Sequence, residues 1–428
     1  MPRLVLGAIA DDLTGATDLA NNLARAGMRV ELVVGVPESD TSVDSDAVVI
    51  ALKSRTIPAE VAVRQSLDAC HWLKARGVNQ VYLKVCSTFD STARGNIGPV
   101  IEALMEDLDC EFSVVVPAFP ENDRTVYRGH LFIGDLLLSD SGMRHHPLTP
   151  MTDSNLVRFL QTQVAHDKGR KVGLIDYRSV KDSAIAVGDR IEALRAEGIG
   201  IAIADAITND DLRTLAAALC KDPLVTASSG LGIELPAEWG FRPSVDCRKP
   251  PPPCGRKAIV SGSCSLATRE QVADFLEKGE SSRWLDPMQL AVDCDRQIEE
   301  TLSWAESNWK KNPALPLLVY STADPASVRL VQERLGNARA GEIVEQSLSS
   351  IARGLVALGV DQLIVAGGET AGECVSALQI RQMHIGIQID PGVPWCYATS
   401  TGRNLCIALK SGNFGNRDFF TRAFTLLA

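Results

Sequence analysis

The chain has 428 residues, more than the roughly 250–300 residues at which a single hydrophobic core stops growing, so we expect two domains. Hydrophobic residues make up 45% and charged residues 22% of the sequence, a composition that excludes disordered, fibrous and membrane-spanning chains. The formal net charge of −10 argues against a general nucleic-acid binder, which needs a basic surface.

Eleven cysteines are scattered through the sequence without a CxxC pair. An odd number cannot pair fully within one chain, and the irregular spacing is typical of a reducing compartment. The first apolar run meets Asp11 and Asp12 before it reaches the length of a signal peptide, and no run of about 18 apolar residues occurs. We therefore expect a cytoplasmic protein without a membrane span or a structural zinc site.

Apolar strands alternate with helical patterns from the start of the chain. The pattern begins with a strand at 4–9, a helix at 14–26 and a strand at 30–34. Further strands are predicted at 47–52, 80–85, 112–116, 171–175, 200–204 and 223–228, with helices after Pro58 and near 100–108, 180–197 and 210–219. This rhythm predicts an α/β fold with a mainly parallel sheet covered by helices.

Residues 117–156 interrupt the pattern with a long polar segment. The segment is too long for a plain connection, so we interpret it as a loop that folds over a substrate cleft or packs between subunits. His130, His145 and His146 lie in it, but their spacing matches no metal motif. We expect these histidines to make local hydrogen bonds and assign no metal-binding residue.

Four consecutive prolines at 250–253 mark a boundary, because proline fixes φ and lacks a backbone donor. We predict a first domain at 1–247, a proline-rich linker at 248–257 and a second domain at 258–428. The second domain has predicted strands at 258–263, 315–321, 361–368 and 405–412, with helices at 266–278, 326–335, 343–358 and 370–378. It is therefore also an α/β domain, and we expect the active site in the cleft between the two domains.

Asp11 and Asp12 end the first strand, at the sheet edge where α/β proteins usually bind ligands. A carboxylate at this position could accept the proton of a substrate hydroxyl or bind other hydroxyl groups. Either aspartate could instead simply cap the helix that follows. A helix cap needs only one aspartate, so the second is available for function. The sequence therefore supports the capping role and the functional role equally.

The segment from Lys84 to Asn96 is dense in hydroxyl, amide and guanidinium groups. The fork of Arg94 suits a carboxylate, and Arg55, at the end of a neighbouring strand, is a second candidate for that role. Turn formation alone would also explain Asp90 and the threonines of this loop. The density of polar groups favours a site for a polyhydroxylated acid.

Three glycine-containing turns follow strands of the second domain: SGSCS at 261–265, AGGET at 366–370 and KSGNFG at 410–415. Small residues before a helix N-terminus let backbone donors approach an anion, so each turn suits a phosphate group. No turn contains the GxxxxGK[ST] pattern of a P-loop. Together the three turns predict a phosphate-binding domain beside a polar substrate domain.

The strings IADDLTGATD, KVCSTFDSTARGNIG, AGGET and LKSGNFG resemble the four-carbon acid sugar kinase family, and the likeness covers nearly the whole chain. The resemblance implies a sugar-acid domain at 1–247 and an ATP domain at 258–428. It further implies transfer of the γ-phosphoryl group of ATP to a C4 hydroxyl, with Mg²⁺ neutralising the phosphate charge. The strings at 119–157 and 380–395 favour a 3-oxo-tetronate as the acceptor.

The resemblance also implies which residues contact each substrate. ATP would contact Ser263, Ser265, Gly367, Gly368, Glu369, Thr370 and Gly412. The sugar acid would contact Asp11, Arg55, Lys84, Asp90, Ser91, Thr92, Arg94, Gly95 and Asn96. We assign Asp12 as the general base and Arg94 as the clamp for the substrate carboxylate.

Three alternatives remain open from the sequence. A sibling kinase for D-threonate or erythronate would share the same motifs, because its substrate differs only at C3. A dinucleotide-dependent dehydrogenase would need GxGxxG after the first strand, where it is missing. A non-catalytic sugar-acid sensor would not need the ATP turns. The partners are small molecules in each case, with no nucleic acid or membrane, and the sequence allows a homo-oligomer without specifying one.

Overall fold

The computed structural model describes residues 4–146, 148–164, 170–243 and 255–427. The chain divides into two compact units, Met1–Cys247 and Arg248–Ala428. Residues 248–254 of the predicted linker lie outside the described residues. Each unit contains its own set of parallel strands and covering helices, which confirms the predicted α/β class.

The strands of the first unit alternate with helices along most of its length. Its strands are β1 (Leu6–Ala10), β2 (Val30–Val34), β3 (Ala47–Ala51), β4 (Gln80–Lys84), β5 (Ser113–Val116), β6 (Arg124–Tyr127), β7 (His130–Ile133), β8 (Leu136–Leu137), β9 (Lys171–Ile175), β10 (Ile199–Ala204) and β11 (Leu224–Ala227). Its helices are α1 (Leu13–Arg25), α2 (Ala59–Lys74), α3 (Ile97–Asp107), α4 (Leu156–Gln161), α5 (Tyr177–Asp182), α6 (Ala184–Ala196), α7 (Asn209–Leu219) and α8 (Leu231–Glu238).

The main sheet of the first unit is parallel, in the order β2-β3-β1-β4-β11-β5-β10-β9. Its strands are buried runs of apolar residues, as expected for a sheet covered on both faces. Ala10, at the end of β1, pairs with Ala51 of β3 and with Lys84 of β4. The three polar segments that follow these strands therefore begin at the same edge of the sheet.

The segment at 117–156, which was interpreted as a long loop, contains regular secondary structure. It contains a three-stranded antiparallel sheet in the order β6-β7-β8, and His130 of β7 pairs with Tyr127 of β6. Asp205, after β10, accepts hydrogen bonds from the amides of Arg128 and Gly129 at 2.8 Å each. This contact ties the β6–β7 turn to the main sheet, a long-range restraint that local composition does not reveal.

The second unit begins with β12 (Arg256–Ser261). Its further strands are β13 (Ser282–Trp284), β14 (Leu317–Tyr320), β15 (Val360–Ala366), β16 (Gln382–Asp390), β17 (Val393–Ser400) and β18 (Arg403–Lys410). Its helices are α9 (Leu266–Glu277), α10 (Pro287–Val292), α11 (Cys294–Lys311), α12 (Pro325–Leu335), α13 (Asn337–Ala357), α14 (Gly368–Ala377) and α15 (Phe419–Arg422).

The sheet of the second unit follows the order β13-β14-β12-β15-β18-β17-β16, with β17 antiparallel to both of its neighbours. Its core includes Trp395, whose indole Nε1 donates to the carbonyl of Ala423 at 3.0 Å, and Phe275 of α9. The parallel strands β12, β15 and β18 are direct neighbours. The three glycine-containing turns follow these three strands and so lie at one edge.

The longest helices do not resemble membrane spans. Helix α13 has 21 residues and α11 has 18, and α11 buries one stripe through Thr301, Ala305 and Trp309, spaced four residues apart. Within the described ranges, no helix combines the length and apolar character that crossing a membrane requires.

Candidate functional site

Two aspartates that follow β1 converge on Arg55, which follows β3. Arg55 donates from Nε to Asp11 Oδ2 and from Nη2 to Asp11 Oδ1, both at 2.9 Å. The same Nη2 lies 2.8 Å from Asp12 Oδ1, and Nη1 lies 3.7 Å from Asp90 Oδ2. We call Asp11, Asp12, Arg55 and Asp90 the Arg55 cluster. The guanidinium fork of Arg55, the second candidate for binding a substrate carboxylate, is thus occupied by Asp11.

The backbone fixes this cluster through the ends of neighbouring strands. The carbonyl of Asp11 accepts from the amides of Ser54 and Arg55 at 3.0 and 3.2 Å. Asp12 is the N-cap of α1, with Oδ1 accepting from the Gly15 amide at 3.0 Å and Oδ2 from Thr14 Oγ1 at 2.8 Å. The capping role predicted for one aspartate thus falls to Asp12, which also faces Arg55.

Burial and ion pairing shift the pKa values of the two aspartates in opposite directions. Burial raises the pKa of the Asp11 carboxyl, and Arg55 offsets that rise only in part. Burial also acts on Asp12, but Arg55, Lys84 and local hydrogen bonds together outweigh it and lower its pKa. Asp12 is therefore ionised at neutral pH, as a proton acceptor must be.

Lys84 ends β4 close to the first turn of α1. Its residue is 3% exposed, and Nζ donates to the carbonyl of Val85 at 2.9 Å. A Cβ atom on Gly15 would lie 2.9 Å from Lys84 Nζ and 2.3 Å from Asp12 Oδ1, so glycine leaves the room for both groups. Burial raises the pKa of nearby Asp18 to about 6, and Lys84 opposes that rise. Lys84 thus places a second cation among the carboxylates.

The loop after β4 is anchored by its own side chains. Thr88 Oγ1 donates to Asp90 Oδ1 at 2.5 Å, and Ser91 Oγ accepts from Gln163 Nε2 at 2.9 Å. A Cβ atom on Gly95 would lie 2.0 Å from Ser91 Oγ, so this glycine lets the loop close on itself. Sequence reasoning did not select Gln163, because it lies some 70 residues away in a segment without a motif.

The remaining residues of this loop divide into a buried and an exposed group. Asn96 Nδ2 donates to the carbonyls of Ser54 at 2.6 Å and Ile57 at 2.8 Å, which joins the loop to the segment after β3. Thr92 and Arg94 are exposed, and their side chains have no hydrogen-bond or ion-pair partner among the described residues. Arg94 is therefore free to bind a ligand but is not brought into the Arg55 cluster by a direct contact.

A cavity at this edge brings most of the predicted sugar-acid residues together. Its polar lining consists of Asp11, Ser54, Arg55, Ser66, Asp90, Ser91 and Asn96. Its apolar lining comes from strand ends and from α3, including Leu83, Val85 and Val100. Its volume of about 20 Å³ is that of roughly one water molecule, so this cavity gathers polar groups of the sheet edge but is too small to hold a sugar acid.

The three glycine-containing turns of the second unit meet through backbone hydrogen bonds. The amides of Gly262 and Ser263 donate to the carbonyl of Ala366 at 3.0 and 3.2 Å, and the amide of Gly367 donates to the carbonyl of Lys410 at 2.8 Å. Each turn therefore holds the next in place. The residues predicted to contact ATP come from three distant parts of the sequence and lie at one edge of the sheet.

Side chains and glycines in these turns fit tightly. A Cβ atom on Gly412 would lie 2.6 Å from Ser263 Oγ and 3.1 Å from Ser265 Oγ, and Ser265 Oγ donates to the carbonyl of Gly412 at 2.5 Å. Gly368 and Glu369, in the first turn of α14, are exposed. The N-terminus of α14, next to small residues, is a helix end of the kind that binds a phosphate group.

Two side chains that were not predicted as site residues, Lys410 and Gln271, hold the third turn. Lys410 Nζ donates to the carbonyls of Ser411 and Gly412 at 3.0 Å each. Gln271 Nε2, from α9, donates to the carbonyls of Gly415 at 2.8 Å and Phe414 at 3.0 Å. Lys410 is a charged residue at the end of an apolar strand, just before a glycine-containing turn, and this position could have identified it. Nothing in the sequence around Gln271 marks it as a site residue.

Replacing Gly367 with Ala is expected to destabilise the chain by about 1–3 kcal/mol. Its φ of 129° is a conformation that L-residues rarely adopt, and a Cβ atom would lie 2.8 Å from Thr370 Oγ1. Gly368→Ala is the matched control, because no atom lies within 4 Å of its Cβ position. Urea unfolding curves of both variants measure the difference. Equal stability of the two would contradict the strain argument.

Two of the histidines in the segment at 117–156 make local hydrogen bonds, as predicted. His130 Nδ1 lies 2.8 Å from the carbonyl of Arg128, and His146 Nδ1 lies 2.8 Å from Thr149 Oγ1. In the part of the chain that the structure describes, no group of three His, Cys, Asp or Glu side chains is placed to hold a metal ion.

Comparison with known proteins assigns the two units to known domain families. Residues 6–235 match a family described as a sugar-binding N-terminal domain, and residues 258–420 match a nucleotide-binding C-terminal domain. The chain is 49% identical over 432 residues to a 3-oxo-tetronate kinase of Pseudomonas fluorescens, covering 100% of this chain and 98% of the relative. The 3-oxo-tetronate kinases of Cupriavidus necator and Burkholderia multivorans are also 49% identical, each covering 99% of this chain and 98% of the relative.

Solved structures with the same architecture extend the comparison. A crystal structure of a Salmonella typhimurium LT2 protein matches with a TM-score of 0.88 and 40% identity, covering 98% of each chain. A Haemophilus influenzae protein matches with a TM-score of 0.81 and 40% identity, covering 99% of this chain and 100% of the other. The resemblance predicted from the sequence strings is confirmed, and the chain belongs to the four-carbon acid sugar kinase family, with 3-oxo-tetronate kinases among its relatives.

Proposed function

We propose that this protein transfers the γ-phosphoryl group of ATP to the C4 hydroxyl of a 3-oxo-tetronate, giving 3-oxo-tetronate 4-phosphate and ADP. The observation that carries this proposal is near 49% identity, over the whole chain, to relatives named 3-oxo-tetronate kinase. The two domain families, one sugar-binding and one nucleotide-binding, are the two parts that such a reaction needs.

The first unit would bind the sugar acid at the edge that carries the Arg55 cluster. Asp12 is proposed as the general base, because its ionised carboxylate follows β1 at the sheet edge where the substrate would bind. Arg94, exposed and without a protein partner among the described residues, would bind the substrate carboxylate. Hydroxyl groups of the substrate would be bound by the following residues: Asp11, Lys84, Asp90, Ser91, Thr92, Gly95 and Asn96.

The role proposed for Arg55 differs from the one predicted from the sequence, which was to bind the substrate carboxylate. Its guanidinium group is engaged by Asp11, Asp12 and Asp90, so it would orient these carboxylates around the substrate. Binding the substrate carboxylate directly would require Arg55 to leave Asp11. The clamp role is therefore given to Arg94 alone.

The second unit would bind ATP through its three glycine-containing turns. ATP would contact Ser263, Ser265, Gly367, Gly368, Glu369, Thr370 and Gly412. Mg²⁺ would neutralise the phosphate charge during transfer. Thr370 is a buried hydroxyl beside Gly367 and would hold a water of the magnesium ion. The protein's part in the chemistry is to position the two substrates and keep water away.

A coupled ADP-release assay with magnesium-ATP tests the proposal. Purified protein is offered freshly prepared 3-oxo-tetronates, D- and L-threonate, and D- and L-erythronate, with the Asp12→Asn variant as the background control. We expect ADP release with a 3-oxo-tetronate and at least about tenfold lower kcat/KM with the unoxidised acids. Preference for a plain tetronate would overturn the substrate assignment. Binding of ATP without phosphoryl transfer to any acid would favour a sensor.

We also propose that the reaction takes place in the cytoplasm. Nine cysteines of the described residues are free thiols, including four that are buried. Burial raises the pKa of Cys374 and Cys396 to about 12, so these thiols are unreactive structural residues. Unpaired thiols are typical of a reducing compartment, which supports this location.

A further inference from the structure

Lys410 is a charged side chain in an unusual position. It ends β18 and is 0% exposed. Nζ lies 2.9 Å from Thr268 Oγ1, 3.0 Å from the carbonyls of Ser411 and Gly412, and 3.1 Å from the carbonyl of Phe414. An ammonium group has three N–H donors, and four oxygens surround this one. The charged form of Lys410 therefore holds most of the third glycine-containing turn.

No anionic group balances this charge. Among the residues that the structure describes, no carboxylate forms an ion pair with Lys410, and burial is the cause of its lowered pKa. Asp390 accepts from the amide of Asn416, the residue after this turn, at 2.9 Å and pairs with Arg422 instead. Buried charges are normally paired, so an uncompensated ammonium at a sheet edge calls for an anion from outside the chain.

The hydrogen bonds of Lys410 also set the direction of the backbone. In a trans peptide the C=O and N–H groups point in opposite directions. Because the carbonyls of 411, 412 and 414 point toward Nζ, the amides of Gly412, Asn413 and Gly415 point away from it. These three amides have no hydrogen-bond partner within the described residues. The turn therefore presents a set of free donors on its outer side, as anion-binding turns do.

The turn that Lys410 holds lies next to the hydroxyl groups of two serines. The Cβ position of Gly412 is 2.6 Å from Ser263 Oγ and 3.1 Å from Ser265 Oγ, and Gly412 is half-buried. Any side chain at position 412 would therefore enter the space in front of the two serines. The residues that would bind phosphate and the amides that Lys410 orients thus lie together.

We propose that Lys410 is a positioning residue for the nucleotide, which directs the amides of the 411–415 turn toward the phosphate groups and receives from them the counter-charge that its ammonium lacks. The inference depends on the proposed function of the second unit as the ATP-binding part. Lys410 itself would touch no substrate atom. It would instead orient the backbone N–H groups that contact the phosphate groups. The part of the nucleotide that these N–H groups would bind is the anionic phosphate chain, not the adenine or the ribose.

This arrangement links nucleotide binding to protonation. Burial lowers the pKa of Lys410 to about 7 in the free protein. A bound phosphate favours the charged ammonium and so raises this pKa. Between pH 7 and the pKa of the complex, binding must therefore take up a proton, and affinity must fall as pH rises through this range. Above that range a neutral amine has two donors and cannot hold three carbonyls.

Calorimetric titration with MgADP at pH 8, in buffers of different ionisation enthalpy, tests the proposal. At this pH a free lysine with a pKa of about 7 is mostly neutral, so the wild-type protein should take up as much as about 0.9 proton per ADP. The phosphate groups of MgADP no longer titrate at pH 8. Lys410→Met should abolish the uptake and weaken ADP binding by about tenfold or more. Lys311→Met, which removes an exposed lysine, should match the wild type.

The possible results separate two failures. If the wild type binds no MgADP, the proposed nucleotide function itself is wrong. If the wild type binds MgADP without proton uptake, or Lys410→Met binds with unchanged affinity and uptake, the role of Lys410 is wrong while the nucleotide function stands. If Lys410→Met does not fold, proton uptake by the wild type still decides the question, because it needs no substitution.

Discussion

Replacing Asp12 with Asn is expected to lower kcat for phosphoryl transfer by about 10²- to 10⁴-fold, the usual contribution of a general base. The KM for ATP should change by less than about threefold, because Asp12 lies in the first unit. Asparagine caps a helix about as well as aspartate, so α1 and its hydrogen bond from the Gly15 amide should persist. Steady-state kinetics with both substrates varied measure the split between kcat and KM.

Two further variants separate the chemistry of Asp12 from its structural role. Asp12→Ala removes both the base and the cap, so it should lose about 1 kcal/mol of stability in addition to activity. Asp11→Asn keeps Asp12 and should retain much more activity than Asp12→Asn. If Asp12→Asn turns over at a near-normal rate, Asp12 is not the base. If Asp11→Asn is the more damaging change, the proton acceptor is Asp11.

Replacing Arg55 with Met is expected to destabilise the protein by about 2–4 kcal/mol at pH 7. Its side chain is 21% exposed, and the Asp11, Asp12 and Asp90 side chains are 13%, 27% and 10% exposed. Removing the cation leaves three clustered carboxylates without compensation, which is costly in a partly buried site. The estimate lies below that for fully buried pairs because some solvent reaches the group.

The destabilisation by Arg55→Met should depend on pH. Burial raises the pKa of Asp11 and opposes the lowered pKa of Asp12, and Arg55 lowers both, so loss of Arg55 raises the pKa of Asp11 and of Asp12. A carboxyl with a folded-state pKa above its unfolded value binds protons preferentially in the folded state, so the variant gains stability relative to wild type as pH falls from 7 toward 5.

Urea unfolding of the wild type and Arg55→Met at pH 7 and pH 5 measures this effect. Arg64→Met, which removes an exposed arginine from α2, is the matched control and should differ from wild type by less than about 0.5 kcal/mol at both values. A constant difference between Arg55→Met and wild type across this range would show that Arg55 does not hold the carboxylates ionised.

Local patterns in the sequence predicted most of the regular elements of both units. The strands at 30–34 and 171–175 have the predicted bounds, and the helix predicted at 266–278 is α9, which ends one residue earlier. Buried parallel strands are continuous apolar runs, so they can be recognised without knowledge of their partners. The regular spacing of these runs was sufficient to predict an α/β class.

Elements that depend on distant partners were not predicted. The hairpin β16–β17 is an exception: it was not predicted, although apolar residues alternate along β16 from Met383 to Ile389 and the Pro391-Gly392 turn follows, which are both local signals. Helix α11 is polar on most of its surface and buries a narrow stripe. The sheet β6-β7-β8 has short strands of four, four and two residues and is tied to the main sheet through Asp205. These elements are stabilised by contacts that a short sequence window cannot contain.

In the candidate sites, too, some features depend on neighbours in the chain and others on distant residues. The sequence alone determined which segments are polar, where strands end and which turns can bind an anion, because these properties depend on neighbours in the chain. Only the tertiary structure decided that Arg55 faces Asp11 instead of a ligand, that Asp12 is the cap, and that Lys410 is buried without a counter-charge. Pairing and burial are set by residues far apart in the sequence, and they determine the charge state and orientation on which chemistry depends.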